Sequence, residues 1–203
     1  MILLNGIILG LLFGWLLARR NNRKFAVPEL KREWLVWAAF APQFLAFYYN
    51  PTRQNIDETL ASAILILSQV VLLVFIWNNR QHAGLLVLGF GLLLNLLVIT
   101  ANGGWMPILP DTVHLLRPDA APGSWEVGAR LGFGKDIVLN AAETRLWWLS
   151  DRFFKPAWIF APAAFSLGDV FISLGAFLFL TALGMEGQIY SIHNNSQGDL
   201  YAT

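Results

Sequence analysis

The stretch that decides the fold is AGLLVLGFGLLLNLLVITA, which runs from Ala83 to Ala101 and contains no charged residue. At a rise of 1.5 Å per residue, a helix of this length is about 28 Å long. The hydrocarbon core of a bilayer is about 30 Å thick, and crossing it takes roughly 17–25 mostly apolar residues. The stretch therefore predicts a transmembrane helix.

Further apolar stretches of similar character predict more transmembrane helices. They run from Ile2 to Ala18, from Trp34 to Tyr49, from Leu60 to Trp77 and from about Phe165 to Met185. The second of them is short and contains Pro42 and Gln43, so it either spans the bilayer or lies tilted and half inserted. The pattern predicts an all-α membrane protein with about five transmembrane helices.

The composition supports this class and excludes several others. Of the 203 residues, 56% are hydrophobic and only 13% are charged, whereas a soluble domain carries about 25% charged residues. The absence of cysteine excludes a disulfide scaffold and a cysteine-ligated metal site. With a net charge of +1 the chain has no electrostatic footprint for nucleic acid. The lipid bilayer is its expected surrounding.

Basic residues between the apolar stretches predict the orientation. The connection from Arg19 to Glu33 holds six basic residues, whereas the connection from Asn50 to Thr59 holds only Arg53. Because cytoplasmic loops carry the excess of Lys and Arg, we expect the N-terminus outside and the C-terminus inside a bacterial inner membrane. Nothing basic precedes Ile2, so the first stretch is expected to be a retained anchor.

This orientation predicts four consecutive parts of the chain. They are four transmembrane helices with short connections (1–101), an external Trp-rich segment (102–164), a fifth transmembrane helix (165–185) and a cytoplasmic tail (186–203).

The external segment is expected to contain an amphipathic helix. From about Lys135 to Phe153 the apolar residues recur at helical spacing. Trp147, Trp148 and Trp158 favour the headgroup level of a bilayer, where the ring and the N–H are both satisfied. We predict a helix that lies on the outer membrane surface. The same apolar face could instead pack on a partner protein or on the protein's own helices.

Small and polar residues within the apolar stretches are candidates for helix packing. Gly6, Gly10 and Gly14 lie on one face of the first helix and allow close approach of another backbone. The approaching helix is either a partner's or the second or fourth span of the same chain. Asn95 needs hydrogen-bond partners and is expected to bond between helices.

Asp169 lies near the start of the fifth stretch. A carboxylate close to hydrocarbon is costly and is a functional candidate for that reason. Ser166 and Asp169 also have the spacing of a capping box, which is the interpretation that we favour. His82 could ligate a haem or chlorophyll metal, but one histidine in a polar turn is more often solvated. We expect bound lipids and no metal site.

Two motifs carry a resemblance to a known family. One is Asn102-Gly103-Gly104-Trp105-Met106-Pro107, and the other is Phe165-Ser166-Leu167-Gly168-Asp169-Val170. Together they resemble an uncharacterised bacterial integral-membrane family that is known as a domain of unknown function. The resemblance implies a small multi-pass membrane protein and supplies no activity.

The second motif is also similar to the last catalytic motif of lipoprotein signal peptidase, an intramembrane aspartyl peptidase. The similarity implies a carboxylate pair, for which Asp151 is the plausible partner of Asp169. Such a pair shares a proton at the outer membrane surface. The chain lacks the Gly-Asn-x-x-Asp-Arg segment of that family.

The sequence thus leaves three functions open. The first is a non-catalytic accessory or assembly subunit of a larger membrane complex, with photosynthetic or respiratory assemblies as the favoured hosts and other integral-membrane subunits as partners. The almost complete lack of ionisable residues in the apolar stretches favours it. The second is an aspartyl peptidase that uses Asp151 and Asp169. The third is a small transporter or lipid-binding module, suggested by the interrupted second stretch.

Overall fold

A computed structural model describes residues 2–23, 25–121, 123–156 and 161–186 of the protein. Most of this part of the chain is helical. In chain order its helices are α1 (Ile2–Arg20), α2 (Trp34–Phe47), α3 (Asn50–Arg53), α4 (Glu58–Asn78), α5 (Ala83–Ala101), α6 (Pro110–Leu116) and α7 (Leu167–Glu186). The bounds predicted for α5 are confirmed.

Four of these helices, α1, α4, α5 and α7, are long and apolar enough to cross a membrane. Their outward faces are rich in exposed apolar side chains, such as Leu12 and Leu97, which suits contact with lipid. The protein is therefore membrane-embedded. The remaining apolar helix, α2, has 14 residues, so it is about 21 Å long and shorter than the hydrocarbon core.

The α1–α7 contact is built on glycine. Along α1, Gly6, Gly10 and Gly14 meet Ser173, Phe177 and Leu180 of α7 in that order, so the two helices run parallel. A Cβ added to Gly10 would lie 2.9 Å from the Cβ of Leu180, which leaves no room for a side chain. Sequence reasoning offered the second or fourth span, or another protein, as the approaching helix; the structure places α7 there.

The opposite face of α7 packs on α5 in the same manner. Gly84 of α5 lies against Phe179, and Gly91 lies against Ile172, so these two helices run antiparallel. A Cβ on Gly91 would be 2.7 Å from the backbone nitrogen of Ile172. Backbones this close exclude side chains on both helices, so α7 is held tightly between α1 and α5 and joins α1 to the rest of the bundle.

Helix α2 packs antiparallel along α4. At its start, the backbone N–H of Lys31 donates to Asn79 Oδ1 at the end of α4 (2.8 Å). At its other end, the Phe47 ring meets the Trp105 ring at the beginning of the 102–166 segment, with centroids 6.4 Å apart. Between them the amide of Gln43 donates to the Ser68 hydroxyl, next to Pro42, which lies within the continuous helix.

The two ends of the bundle differ in chemistry. One end, here called the capped end, carries residues 102–166. The opposite end, here called the basic end, carries the connections between α1 and α2 and between α4 and α5. There the Arg23 guanidinium donates to the carbonyl of Met185, near the C-terminus of α7, where a cation satisfies free carbonyl groups.

The capped end contains short strands. Strand β1 (Met106–Ile108) pairs in parallel with β2 (Asp136–Val138), and β3 (Phe153–Lys155) pairs antiparallel with β4 (Ala163–Phe165). Gly103 and Gly104 have φ of 73° and 92°, a left-handed conformation that turns the chain from α5 into β1. All three residues of β1 are buried, so this strand is the centre of the capped end.

The external amphipathic helix predicted from Lys135 to Phe153 is wrong. Its first part forms β2, its last residue begins β3, and only Trp147–Leu149 forms a single 3₁₀ turn. One strand pairing and one backbone conformation explain the difference. Pairing with β1 engages the backbone around Ile137, and Leu146 adopts φ 56°, which a helix cannot continue through. The fold is therefore mainly α-helical with small strands at one end.

Candidate functional site

The candidate site is a cavity of about 690 Å³ between the helices. Its walls are apolar and come from all five apolar helices, with Ile7, Val36, Leu72, Leu88, Leu92 and Ile172 as representatives. At the capped end the character changes, because four ionisable side chains line the cavity: Lys135, Asp136, Asp151 and Asp169. We call these four residues the charged cluster.

Strand β1 positions most of the charged cluster. On one side, the N–H of Met106 donates to the carbonyl of Lys135 (2.9 Å). On the other, the N–H of Asp151 donates to the carbonyl of Pro107 (2.8 Å). The Asn-Gly-Gly-x-Met-Pro motif therefore has a structural role: its turn delivers the strand that holds Lys135 and Asp151 face to face.

Lys135 bridges two carboxylates. Its Nζ lies 2.7 Å from Asp151 Oδ2 and 3.2 Å from Asp136 Oδ1. The Asp151 side chain is only 3% exposed. The Lys135 side chain keeps 40% exposure because it faces the cavity. Asp151 Oδ1 is enclosed without a hydrogen-bond partner among the described residues.

This arrangement perturbs both members of the pair. Burial raises the pKa of the Asp151 carboxyl to about 7, although the neighbouring Lys135 opposes the shift and Asp136 and Asp169 add to it. Burial on its own would lower the pKa of the Lys135 ammonium, but the carboxylates of Asp136, Asp151 and Asp169 outweigh it and raise that pKa. Lys135 therefore stays charged, while Asp151 can gain or lose a proton near neutral pH.

Asp169 is held by a network of hydrogen bonds at the start of α7. Its backbone N–H donates to Ser166 Oγ (3.0 Å), and its Oδ2 accepts from the N–H of Ser166 (3.3 Å), which is the predicted capping box. Asn95 Nδ2 donates to Asp169 Oδ1 (2.9 Å), and Ser166 Oγ donates to Asn95 Oδ1 (2.9 Å). Asn95 thus bonds between α5 and α7.

The structure brings together Asp151 and Asp169, the pair that the peptidase similarity singled out, since both line the same cavity. Other predicted residues lie elsewhere. The glycines Gly6, Gly10 and Gly14 pack against α7, and the His82 ring meets Phe179 edge to face at 5.6 Å at the basic end.

The predicted interfacial tryptophans lie at the capped end. Trp147 and Trp148 are exposed, at 43% and 48%, and the Arg152 guanidinium stacks over the Trp147 ring at 4.3 Å. Trp158 lies outside the described residues. So does most of the predicted cytoplasmic tail.

Sequence reasoning missed Lys135 and Asp136, which it assigned to a surface helix. The only local signal is a charged pair between Gly134 and the β-branched residues Ile137 and Val138, which favours a strand. Within the described ranges, no group of three or more His, Asp or Glu side chains is arranged to hold a metal ion.

Comparison with known proteins gives a family but no activity. No curated protein and no solved structure matches the chain. A family model described as "Family of unknown function (DUF5317)" matches residues 28–181, which include α2, α4, α5, the capped end and most of α7. The chain therefore belongs to this family of unknown function.

Proposed function

We propose that this protein binds a membrane-anchored amphiphile inside the bundle. One observation carries the proposal: a single cavity has an apolar body between the helices and a charged cluster at one end. An apolar chain gains about 25 cal/mol per Å² when buried, and the charged cluster offers hydrogen-bond partners to a polar group. The polarity of the cavity wall thus complements that of an amphiphile, with apolar wall for the chain and polar wall for the headgroup.

The depth of the cavity fits a lipid chain. On α5 the wall runs from Leu92 to Leu85 near the basic end, and the charged end lies level with Asn95, which donates to Asp169. The ten residues of helix between Asn95 and Leu85 correspond to about 15 Å. Helices α1 and α2 both line the cavity but share no extended interface. The gap between them gives a chain lateral access from the bilayer.

The proposal can be tested by photolabelling in lipid nanodiscs. The probe is a neutral palmitoyl glycerol with a diazirine in its chain, and the labelled peptides are mapped by mass spectrometry. We expect label on the cavity walls of α5 and α7. Ile172→Trp fills the cavity and should reduce this label about tenfold. A tenfold reduction corresponds to roughly 1.4 kcal/mol of binding free energy, about the value of one well-packed contact with the chain.

The matched control is Val170→Trp, because Val170 lies two residues away on α7 and is 40% exposed on the outer face. It should leave the label on the cavity walls unchanged. Label confined to lipid-facing residues, with equal amounts in both variants, would refute the proposal. Thermal unfolding of each variant in detergent shows whether the bundle is intact.

A second candidate is an aspartyl hydrolase, as the similarity to lipoprotein signal peptidase implies. The observation that favours it is that Asp151, with a pKa of about 7, lines the same cavity as Asp169. A carboxyl group near neutrality can exchange a proton with water or a substrate. Asp151→Asn and Asp169→Asn should then each abolish lipoprotein processing by the purified protein, while normal processing in either variant would exclude this activity.

The accessory-subunit hypothesis is a third proposal, supported by the aromatic ladder of exposed rings on α2. The rings of Trp37, Phe40, Phe44 and the C-cap residue Tyr48 contact one another in sequence along its outer face, edge to face at Trp37–Phe40 and stacked at Phe44–Tyr48. A partner from an energy-transducing complex should then co-purify at fixed stoichiometry in mild detergent. Recovery of the protein with lipid alone would contradict it.

For the topology we propose five crossings, with α2 as the fifth. Residues at either end of α2 contact opposite ends of the bundle, since Lys31 bonds to Asn79 at the basic end and Phe47 meets Trp105 at the capped end. The basic end carries Arg19, Arg20, Lys31, Arg32 and Arg80. The positive-inside rule then puts the basic end in the cytoplasm of a bacterium and the capped end outside. We expect a cysteine placed at position 111 to be labelled from the outside. A cysteine placed at position 32 should be labelled only after permeabilisation.

A further inference from the structure

A second cavity lies beside the first at the capped end. Its volume is about 560 Å³, and it is lined by the end of α2, by α3 and by the loop that precedes β2. The two cavities share Leu116, Lys135, Asp136 and Pro162 in their walls. A ligand that reaches the charged cluster from the bundle therefore has the second cavity directly ahead of it.

The second cavity has an excess of positive charge. Arg53, Arg117 and Lys135 line it, and Asp136 is the one acidic residue in its described wall. Neither Arg53 nor Arg117 forms an ion pair with any described residue. The Nε of Arg53 is enclosed and has no hydrogen-bond partner among those residues. A buried donor without a partner costs free energy, and an acceptor that enters the cavity would remove this cost.

The wall that faces Arg53 is held in place before any ligand binds. Arg130 Nε donates to the carbonyl of Gly134 (2.6 Å), and its Nη2 donates to the carbonyl of Phe133 (2.9 Å). The Arg130 guanidinium lies 4.2 Å from the Trp105 ring centroid, and the Phe133 ring lies under the Arg53 guanidinium at 5.2 Å. The cavity is thus shaped by stacked aromatic and cationic groups.

We infer that the second cavity binds the phosphate group of an anionic amphiphile. Arginine guanidinium groups match phosphate oxygens in geometry and bind them through paired charge-assisted hydrogen bonds. The inference rests on the proposed function, since the first cavity takes the apolar chain, and it adds the chemical class of the headgroup. Phe47 and Leu65 supply apolar wall beside the cations, where the glycerol region of such a molecule would lie.

The test compares two photoreactive probes in phosphatidylcholine nanodiscs. One is phosphatidylglycerol with a diazirine in its acyl chain, and the other is the neutral palmitoyl glycerol probe. Arg53→Gln combined with Arg117→Gln should reduce cavity labelling by phosphatidylglycerol about tenfold, which corresponds to about 1.4 kcal/mol of lost charge-assisted hydrogen bonding. Labelling by the neutral probe should not change.

Two controls distinguish charge from geometry and from general effects. Arg19→Gln with Arg20→Gln removes two exposed cations from the basic end and should leave both labels unchanged. Arg53→Lys keeps the charge but loses the paired donors, so we expect an intermediate reduction. Equal labelling of the wild type and the Arg53/Arg117 double variant by phosphatidylglycerol would overturn the inference.

Inorganic phosphate distinguishes the source of the bound group. ³¹P NMR can show whether inorganic phosphate binds to the wild type and fails to bind to the Arg53/Arg117 double variant. If it does so, and phosphatidylglycerol does not label the cavity, the site takes free phosphate and the lipid source is refuted. A different result would refute the proposed function, namely unchanged labelling by the neutral probe in Ile172→Trp.

Discussion

The α1–α7–α5 interface and the capped end are stabilised in opposite ways. In the helical interface, backbones touch at glycines, and the side chains that these glycines meet are uncharged. At the capped end, strands of three residues position the half-buried Lys135 between the carboxylates of Asp136 and Asp151. The stability of the first region therefore depends on the lack of side chains at its glycines, whereas the stability of the second depends on whether the Asp151 carboxyl is protonated.

The largest effect should follow from added volume in the helical interface. Gly91→Ala places a Cβ against the backbone of α7, which cannot move without shifting the whole helix, so we expect a loss of about 3 kcal/mol in unfolding free energy. Gly89→Ala is the matched control on the same helix, because the nearest neighbours of its Cβ are side-chain atoms of Ile76, with Cγ2 at 2.9 Å. A side chain can adjust where a backbone cannot, so we expect a smaller loss. Chemical unfolding in detergent measures both, and equal losses would contradict the contrast.

The next effect concerns the proton at the capped end. The folded state raises the pKa of Asp151 from 3.8 to about 7, so between these values it binds more protons than the unfolded chain does. Stability from this group is therefore present at low pH and lost as the pH rises through about 7. We expect Tm to fall by roughly 5 °C between pH 5 and pH 8.

Asp151→Asn should flatten this pH dependence, because the side chain no longer titrates. Asp111→Asn is the control, since Asp111 is an exposed carboxylate on α6 of the same segment. It should keep the wild-type slope. A wild-type slope in Asp151→Asn would show that the proton is bound elsewhere.

A smaller effect should follow from loosening the turn that carries β1. Asn102 accepts from the N–H of Arg145 (2.9 Å) and donates to its carbonyl (2.9 Å), which ties the turn to the chain before the 3₁₀ turn. Asn102→Ala should cost about 1–2 kcal/mol and speed proteolysis of residues 102–166, leaving the helices intact. Cleavage that begins within the helices would instead show that the two regions unfold together.

The smallest effect is expected on the outer face of α2. Trp37 is 70% exposed, so Trp37→Leu should change the unfolding free energy of the isolated protein by less than about 0.5 kcal/mol. If α2 docks on a partner subunit, the same change should release that partner during purification. Loss of stability in the isolated protein would place Trp37 in an internal contact.

The helical region could be predicted from the sequence, whereas the site at the capped end could not. The apolar stretches predict α1, α4, α5 and α7 because each helix satisfies its own backbone, and Ser166 with Asp169 predicts the capping box because both residues belong to one helix turn. The charged cluster could not be predicted. Lys135 meets Asp151 only because β1, which lies about thirty residues earlier in the chain, pairs on both sides.

The position of α7 between α1 and α5 has a consequence for biosynthesis. Helix α1 packs along α7 and shares no extended interface with α2, α4 or α5. A ribosome adds roughly 5–20 residues per second, so α1 is made on the order of ten seconds before α7, its one extensive neighbour among the described helices. During that interval α1 resides in the bilayer as a separate anchor, and the arrival of α7 completes this interface.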